Sequence, residues 1–365
     1  MTRARQQLIN CADTPYYHCI ARCVRRAFLC GFDKYTNKSF EHRRQWVIDR
    51  LASLERVFCI DVCAYAIMSN HYHLVVCINK ELADEISDLE VIERWLLLFK
   101  GPYLVQRYIA GEALGKEQLC LIAEIVDQWR ARLQNISWLM RTLNEHIARR
   151  SNVEDSCRGR YCEGRFKSQV LLDEQALLTC MAYVELNPIR AKMALTPESS
   201  EYTSIKQRIE DTGIDDAEKV IMGENKGQQK SIDTRDQQAI KLKAFLAEGE
   251  VLDAQLPFYY ADYLLLVNWS GRAIRDDKSG AIDTDVPGIL RRLHIDKAQW
   301  IKAMQPKGNH AFSRAMGCCN TLRAYAKKLQ IAWIKGVGTS LRLFPYTADQ
   351  SMLESGRIQK CATRR

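Results

Sequence analysis

Between Phe58 and Ile78 the chain carries two apolar runs of β-type residues with only a short polar joint between them. The first, Phe58 to Ile67, is poor in helix formers, and the second, Tyr72 to Ile78, contains Leu74, Val75, Val76 and Ile78. Two such runs on either side of Ser69-Asn70 satisfy their backbone groups by pairing with each other, which predicts an antiparallel hairpin. A lone hairpin is not stable in water, so other segments must extend and cover it. Residues 16–23 read as a further short strand and Phe166 to Leu172 as another. Phe40, Val47, Leu51 and Leu54 recur at helical spacing across 40–57. From about Lys80 to Arg150 the pattern is helical, with one apolar stripe through Leu119, Ile122, Val126, Trp129 and Leu133 and a second from Ile136 to Ile147. Asp173 is suited to cap a helix running through Leu177, Met181 and Val184, and Pro188 limits that helix near Asn187. The order strand, helix, strand, strand, helix, strand, helix predicts an α+β fold: an antiparallel sheet with helices on one face.

At 365 residues the chain is long enough for one large domain or two ordinary ones. Residues 206–245 are rich in Gln, Lys, Asp and Gly and thin in apolar side chains, so they are expected to link residues 1–205 to a mostly helical region, 246–365. In that region 258–274, 289–304 and 311–334 look helical. The stretch from Ile289 to Trp300 reads as helix, tight turn and helix, either a DNA-reading pair or a small packing unit. The longest apolar runs are far too short to span a bilayer, and no apolar segment follows the charged start, so a cytoplasmic location is expected. A formal net charge of +9 favours an acidic partner, of which nucleic acid is the commonest. The 14 cysteines do not fall at zinc-ribbon spacings. Reduced thiols packed in the core are expected, with a structural zinc as the alternative.

Two constellations carry chemistry. In Asn70-His71-Tyr72-His73 the two histidines alternate along a strand, so their imidazoles share a face, with Cβ atoms roughly 7 Å apart, and can share a divalent ion. The pair alone is equally compatible with two histidines capping a strand edge. In Tyr183-Val-Glu-Leu-Asn187-Pro188 the tyrosine and the asparagine are four apart and share a helix face. That arrangement suits a tyrosine nucleophile with an amide oxygen one turn away as a hard metal ligand. Taken alone it also suits a half-buried aromatic and a residue that ends a helix.

Together the two segments resemble a known family. Met68-Ser-Asn-His71-Tyr-His73-Leu-Val-Val is similar to the HUH segment of the single-tyrosine transposases of insertion-sequence type. Tyr183-Val-Glu-Leu-Asn187-Pro188-Ile-Arg190-Ala resembles the segment that carries their nucleophile, most closely in the REP-associated tyrosine transposases, and Arg165-Phe166-Lys167 ahead of it is also typical. The resemblance spans roughly residues 14–200. It implies a ferredoxin-like core within residues 1–205 carrying a helical insertion at about 80–136. It also implies Mg²⁺ or Mn²⁺ held by His71, His73 and Asn187, and Tyr183 as the nucleophile that forms a 5′-phosphotyrosine on hairpin-bearing single-stranded DNA. The chain departs from the family in the aromatic Tyr72 at the middle HUH position, in the length of the insertion and in its C-terminal third. The other class of function is a non-catalytic DNA-binding regulator derived from such an enzyme. A zinc-stabilised nucleic-acid-binding protein rests on the cysteine count alone.

A threaded strand needs cations along its path. Arg158, Arg160, Arg165 and Lys167 are the candidates for phosphate contacts, with Arg190 just past the tyrosine helix; Arg22, Arg25 and Arg26 have weaker support. Tyr161 and Phe166 are interleaved with these cations and are candidates to stack on bases, or else Phe166 belongs to the core.

Overall fold

The computed structural model describes residues 14–23, 30–33, 37–212, 239–247, 255–274, 287–305, 312 and 314–345. In chain order the first part comprises β1 (Tyr16–Arg22), the two-residue strands β2 (Phe32–Asp33) and β3 (Lys38–Ser39), and α1 (His42–Glu55). The hairpin strands β4 (Ile60–Ile67) and β5 (His71–Ile78) follow. Next come α2 (Lys80–Glu85), α3 (Asp88–Leu96), α4 (Tyr103–Ile109), α5 (Lys116–Leu133) and α6 (Ile136–Glu154). The last elements of this part are β6 (Lys167–Leu171), α7 (Glu174–Glu185), α8 (Asn187–Arg190) and α9 (Ser204–Thr212). Beyond them lie β7 (Phe245–Leu246), β8 (Leu256–Tyr259) and β9 (Ala315–Met316), with helices at Tyr260–Ala273, Gly288–Arg292, Lys297–Met304, Cys319–Lys328 and Val337–Leu343.

The main sheet is mixed and five-stranded, in the order β4-β5-β1-β6-β9. Its first four strands pair antiparallel, and β9 adds to β6 in parallel. The expected hairpin is present, with one bulge between Val62 and Ala64. Register fixes what each face shows. His71, His73 and Val75 lie across from Arg22, Ile20 and His18, and Lys167 and Gln169 continue that row on β6. Tyr72, Leu74 and Val76 point to the opposite face with Tyr17 and Cys19, and all five are buried.

Helices cover both faces, which corrects the expectation of helices on one face only. Tyr72 reaches α6, where its hydroxyl donates to Asn144 Oδ1 at 2.9 Å, whereas α7 lies over the face that carries His73. The reason is the composition of α7: Ala176 to Ala182 and Val184 are buried almost without exception, more than a helix docked by one stripe requires. The hydroxyl of Tyr72 also explains how an aromatic is tolerated at that position, because Asn144 satisfies it beneath the sheet.

The later part of the chain is joined to this sheet. Residues 213–238, most of the expected linker, lie outside the described residues. Lys243 N–H donates to Val62 O at 2.8 Å, and Ala66 bridges to Thr203, so the free edge of β4 is covered. β9 falls inside a stretch that reads as helix in the sequence; its two residues complete the other edge. The turn expected near His294 is real: His294 has φ of 51° between helices 288–292 and 297–304. Trp300 of the second helix is fully buried and donates from Nε1 to Ser270 Oγ at 2.8 Å. Cys19, Cys63, Cys77 and Cys180 are buried free thiols. Among the described residues no helix is long and apolar enough to cross a membrane.

Candidate active site

The site forms where α7 crosses the histidine face of β5 and β1. His73 is buried and His71 half-buried, with ring centroids 4.9 Å apart. The Tyr183 ring stands edge-on to His73, with centroids 6.2 Å apart. Asn187 does not continue the tyrosine helix. α7 ends at Glu185, and Asn187 opens α8 with Pro188 in its first turn, where a missing N–H costs nothing. Arg190 holds the two turns together: its Nη2 donates to the Tyr183 carbonyl at 3.2 Å and to Asn187 Oδ1. Its guanidinium also lies 3.5 Å from the centre of the Tyr183 ring. By sequence Arg190 reads as a DNA-contact candidate just past the tyrosine helix; the structure places it against Tyr183 and Asn187.

His18 is the residue that sequence reasoning missed. It is 1% exposed, stacks on His73 and lies 2.8 Å from it, Nε2 to Nδ1. Its other nitrogen, Nδ1, is 3.5 Å from Gln169 Oε1. An amide oxygen can only accept, so His18 donates from Nδ1 and its neutral Nε2 must accept from His73 Nδ1. His73 then presents the lone pair of Nε2. The same logic holds for His71, whose Nδ1 donates to Asn70 Oδ1 at 2.6 Å and leaves Nε2 unprotonated. Burial, with Arg190 and neighbouring groups adding repulsion, keeps these imidazoles neutral: His18 and His71 are lowered to about 4, and His73 lies well below its usual value.

These donors suit a divalent cation of intermediate hardness. Two neutral imidazoles present Nε2 lone pairs, and Asn187 Oδ1 keeps a second lone pair beside the one Arg190 uses. Among the described residues no three His, Cys, Asp or Glu side chains converge as a metal cage, so a cation here would depend on Asn187. Two buried N–H groups next to the tyrosine, Asn187 Nδ2 and Arg190 Nε, have no acceptor. Unpartnered buried donors also occur on Arg44, Arg50 and Arg208; the two on Asn187 and Arg190 are set apart by lying beside Tyr183, where an acceptor-rich ligand would satisfy them.

The remaining candidates are placed as follows. Lys167 is exposed on the histidine face, and Arg22 is exposed directly across from His71, 3.7 Å from Glu163. Arg158, Arg160 and Arg165 are exposed on the loop between α6 and β6. That loop runs beside the His71 end of the site, because Glu163 N–H donates to Arg22 O at 2.9 Å and the backbone of Cys162 pairs antiparallel with that of Cys23. Arg25 and Arg26 lie outside the described residues. Tyr161 and Phe166 are buried, at 3% and 6% exposure, so the structure assigns them to the core and not to base stacking. Glu185, in the middle of the tyrosine segment, is fully buried and accepts from Ser204 Oγ and Tyr263 Oη, which fastens α7 to α9 and to helix 260–273.

No family model matches this sequence, and no curated protein does. A solved structure of a REP-associated tyrosine transposase bound to a REP hairpin aligns over 66% of this chain and 99% of its own length. The alignment has 9% identity and a TM-score of 0.33, a likeness too slight to decide fold or activity.

Proposed function

We propose that the chain cleaves and rejoins single-stranded DNA, of the hairpin-bearing kind that transposases of the single-tyrosine type act on, with Tyr183 as nucleophile. The observation that carries this reading is the pair of unpartnered buried donors, Asn187 Nδ2 and Arg190 Nε, beside a tyrosine that faces two imidazoles. A phosphodiester supplies the acceptors those donors lack. In this reading the strands β1, β4, β5 and β6 with α1 and α6 form a ferredoxin-like core within residues 1–205, with α2 to α5 as an insertion and residues 246–365 as an accessory region.

In the reaction the Tyr183 hydroxyl oxygen attacks phosphorus and loses its proton. The bond from phosphorus to the 3′-oxygen breaks, and that oxygen takes up a proton. The products are a 5′-phosphotyrosine and a free 3′-hydroxyl, and attack by a 3′-hydroxyl reverses the step without an external energy source. Arg190 and the Asn187 amide donate to phosphate oxygens, which positions the phosphorus and neutralises charge. His18 fixes the tautomer and orientation of His73, as a hydrogen-bonding partner behind a metal ligand does. His71, His73 and Asn187 would hold Mg²⁺ or Mn²⁺, which when bound polarises a non-bridging oxygen. Arg158, Arg160, Arg165 and Lys167 guide the strand through phosphate contacts.

A non-catalytic DNA-binding regulator is the second reading, favoured by one observation: Arg190 already takes a lone pair of the Asn187 oxygen and sets a positive charge beside the imidazoles. Incubation with labelled single-stranded DNA from the flanks of the gene, with Mn²⁺, separates the two. A covalent adduct on Tyr183 supports the enzyme; binding with no adduct on any such substrate supports the regulator.

A further inference from the structure

Helix α6 carries two stripes. Ile136, Leu139, Met140, Leu143 and Ile147 are buried toward the sheet. Every third or fourth residue from Trp138 to Val153 instead lines a groove of about 1160 Å³, walled also by α1, α3 and α5. Four of the seven tryptophans of the chain, Trp46, Trp95, Trp129 and Trp138, line it. Trp95 stacks on Trp129 at 5.3 Å and on Phe99 at 4.4 Å, and Trp138 meets Trp95 edge-on at 5.5 Å. Arginines lie on the accessible rings: Arg132 is 4.7 Å and Arg141 5.3 Å from the Trp138 centre, and Arg150 is 4.1 Å from that of Trp46. Six Lys and Arg residues line the groove against two carboxylates, and one of these, Glu154, is engaged by the buried Arg43.

We propose that this groove is a second nucleic-acid site, which takes an unpaired DNA strand. It lies on the α6 side of the sheet, away from Tyr183 and the histidines. A solvated charged face needs no tryptophans, and a purely apolar wall needs no excess of arginine. Rings interleaved with guanidinium groups match a strand whose phosphates alternate with flat bases. Trp138 and Arg150 are twelve residues apart, about 18 Å along the helix, so the groove holds several nucleotides. Bases stack on Trp138 and Trp46, and phosphates run along Arg141, Arg149 and Arg150. An acidic peptide would satisfy the arginines and leave the rings uncovered. The choice of DNA as the polymer rests on the proposed function; the shape and charge of the groove do not.

The test uses the full chain carrying Tyr183→Phe, so that no adduct forms, and labelled oligo(dT), a blunt duplex and polyglutamate as probes. Arg141 and Arg149 are 67% and 78% exposed and each pairs with Glu145, so Arg141→Glu with Arg149→Glu loses two surface ion pairs and should lower the melting temperature by a few degrees while the chain still folds. Followed by tryptophan quenching, which reports the groove and not the strand path beside Tyr183, that variant should bind oligo(dT) at least tenfold more weakly, with a salt slope lower by about 0.7 for each phosphate that is no longer neutralised. Oligo(dT) should quench tryptophan fluorescence more than the duplex does, and Trp138→Phe should reduce the quenching. Unchanged affinity and slope in the charge-reversed variant overturn the proposal, as does polyglutamate binding the groove more tightly than oligo(dT). Quenching in the Tyr183→Phe chain, with no adduct formed by the parent protein on any strand from the gene's flanks, supports the groove while removing the nuclease reading. An adduct formed by the parent, with no quenching in the Tyr183→Phe chain, does the reverse.

Discussion

The guanidinium carbon of Arg190 lies over the Tyr183 ring, 3.5 Å from its centre, while its charge acts on the imidazoles of His18, His71 and His73. In all three histidines that charge opposes protonation. Arg190→Ala should therefore raise each imidazole pKa, because removal of a nearby cation favours the charged form. Imidazole NMR titration reads the shift directly. Unmoved titration curves would place Arg190 outside the cluster.

Tyr183→Phe removes one hydroxyl from a half-buried ring, so helix packing through Leu177, Met181 and Val184 should survive and the change in stability should stay within about 1 kcal/mol. Cleavage and the covalent adduct should both vanish while DNA binding persists. Mass spectrometry of an adduct trapped in the parent protein locates the phosphotyrosine. Its appearance on another tyrosine would refute the assignment.

The histidine cluster also sets a pH dependence of stability. His18 is lowered to about 4 from 6.5, so between these values the unfolded chain binds the proton that the folded chain refuses. Its contribution is complete above pH 6.5 and is lost as pH falls toward 4, on the order of 3 kcal/mol at the lower end. The carboxyls of buried Glu185 and half-buried Asp173 are raised and act in the opposite sense, so the difference between two proteins is the quantity to measure. Denaturation of His18→Asn and the parent from pH 7 to 4 should show a flatter decline in the variant. The same variant should bind Mn²⁺ about 10- to 100-fold more weakly, by calorimetry, if His18 orients His73.

Asp173 accepts three hydrogen bonds: from Ala176 N at 2.9 Å, from Cys318 N at 2.6 Å and from Thr321 Oγ1 at 2.7 Å. Asp173→Ala strips the cap from α7 and leaves Cys318 N without its acceptor, whereas Thr321 Oγ1 keeps Cys318 O at 3.0 Å, so the cost should be on the order of 2 kcal/mol in urea denaturation. A loss under about 0.5 kcal/mol would mean that the clamp is not formed in solution.

Replacing Arg158, Arg160, Arg165 and Lys167 with alanine should weaken single-strand binding about equally across sequences. The salt slope should fall by about 0.7 for each of the four that touches phosphate. An unchanged slope would move the strand elsewhere on the protein.

The hairpin, α1, the cap at Asp173 and the helix break before Pro188 were legible because each is written in local spacing. His18 was not. Its strand was readable, but its partner was set by the register of β1 against β5, a pairing across more than fifty residues that no local pattern records. Tyr161 misled for the opposite reason, and Phe166 stayed open between stacking and the core: aromatics among arginines look exposed in sequence, and only the fold shows the rings turned inward. β9 escaped because two residues, Ala315 and Met316, carry no periodicity, and only the open edge of β6 defines them as a strand. The arginine stripe on α6 shares its helix with the apolar stripe, and the apolar one dominates a hydrophobicity reading.

The joining of β9 to β6 and of Cys318 to Asp173 bears on the order in which the molecule is made. A ribosome that has released residues 1–205 has already synthesised Tyr183, Asn187, Arg190 and all three histidines. At that moment β6 is still an open edge and Asp173 lacks two of its three donors, because their partners lie beyond residue 314. The tyrosine helix is therefore clamped at its start only when most of the polypeptide exists, so a nascent or prematurely terminated chain holds Tyr183 less firmly than a finished one.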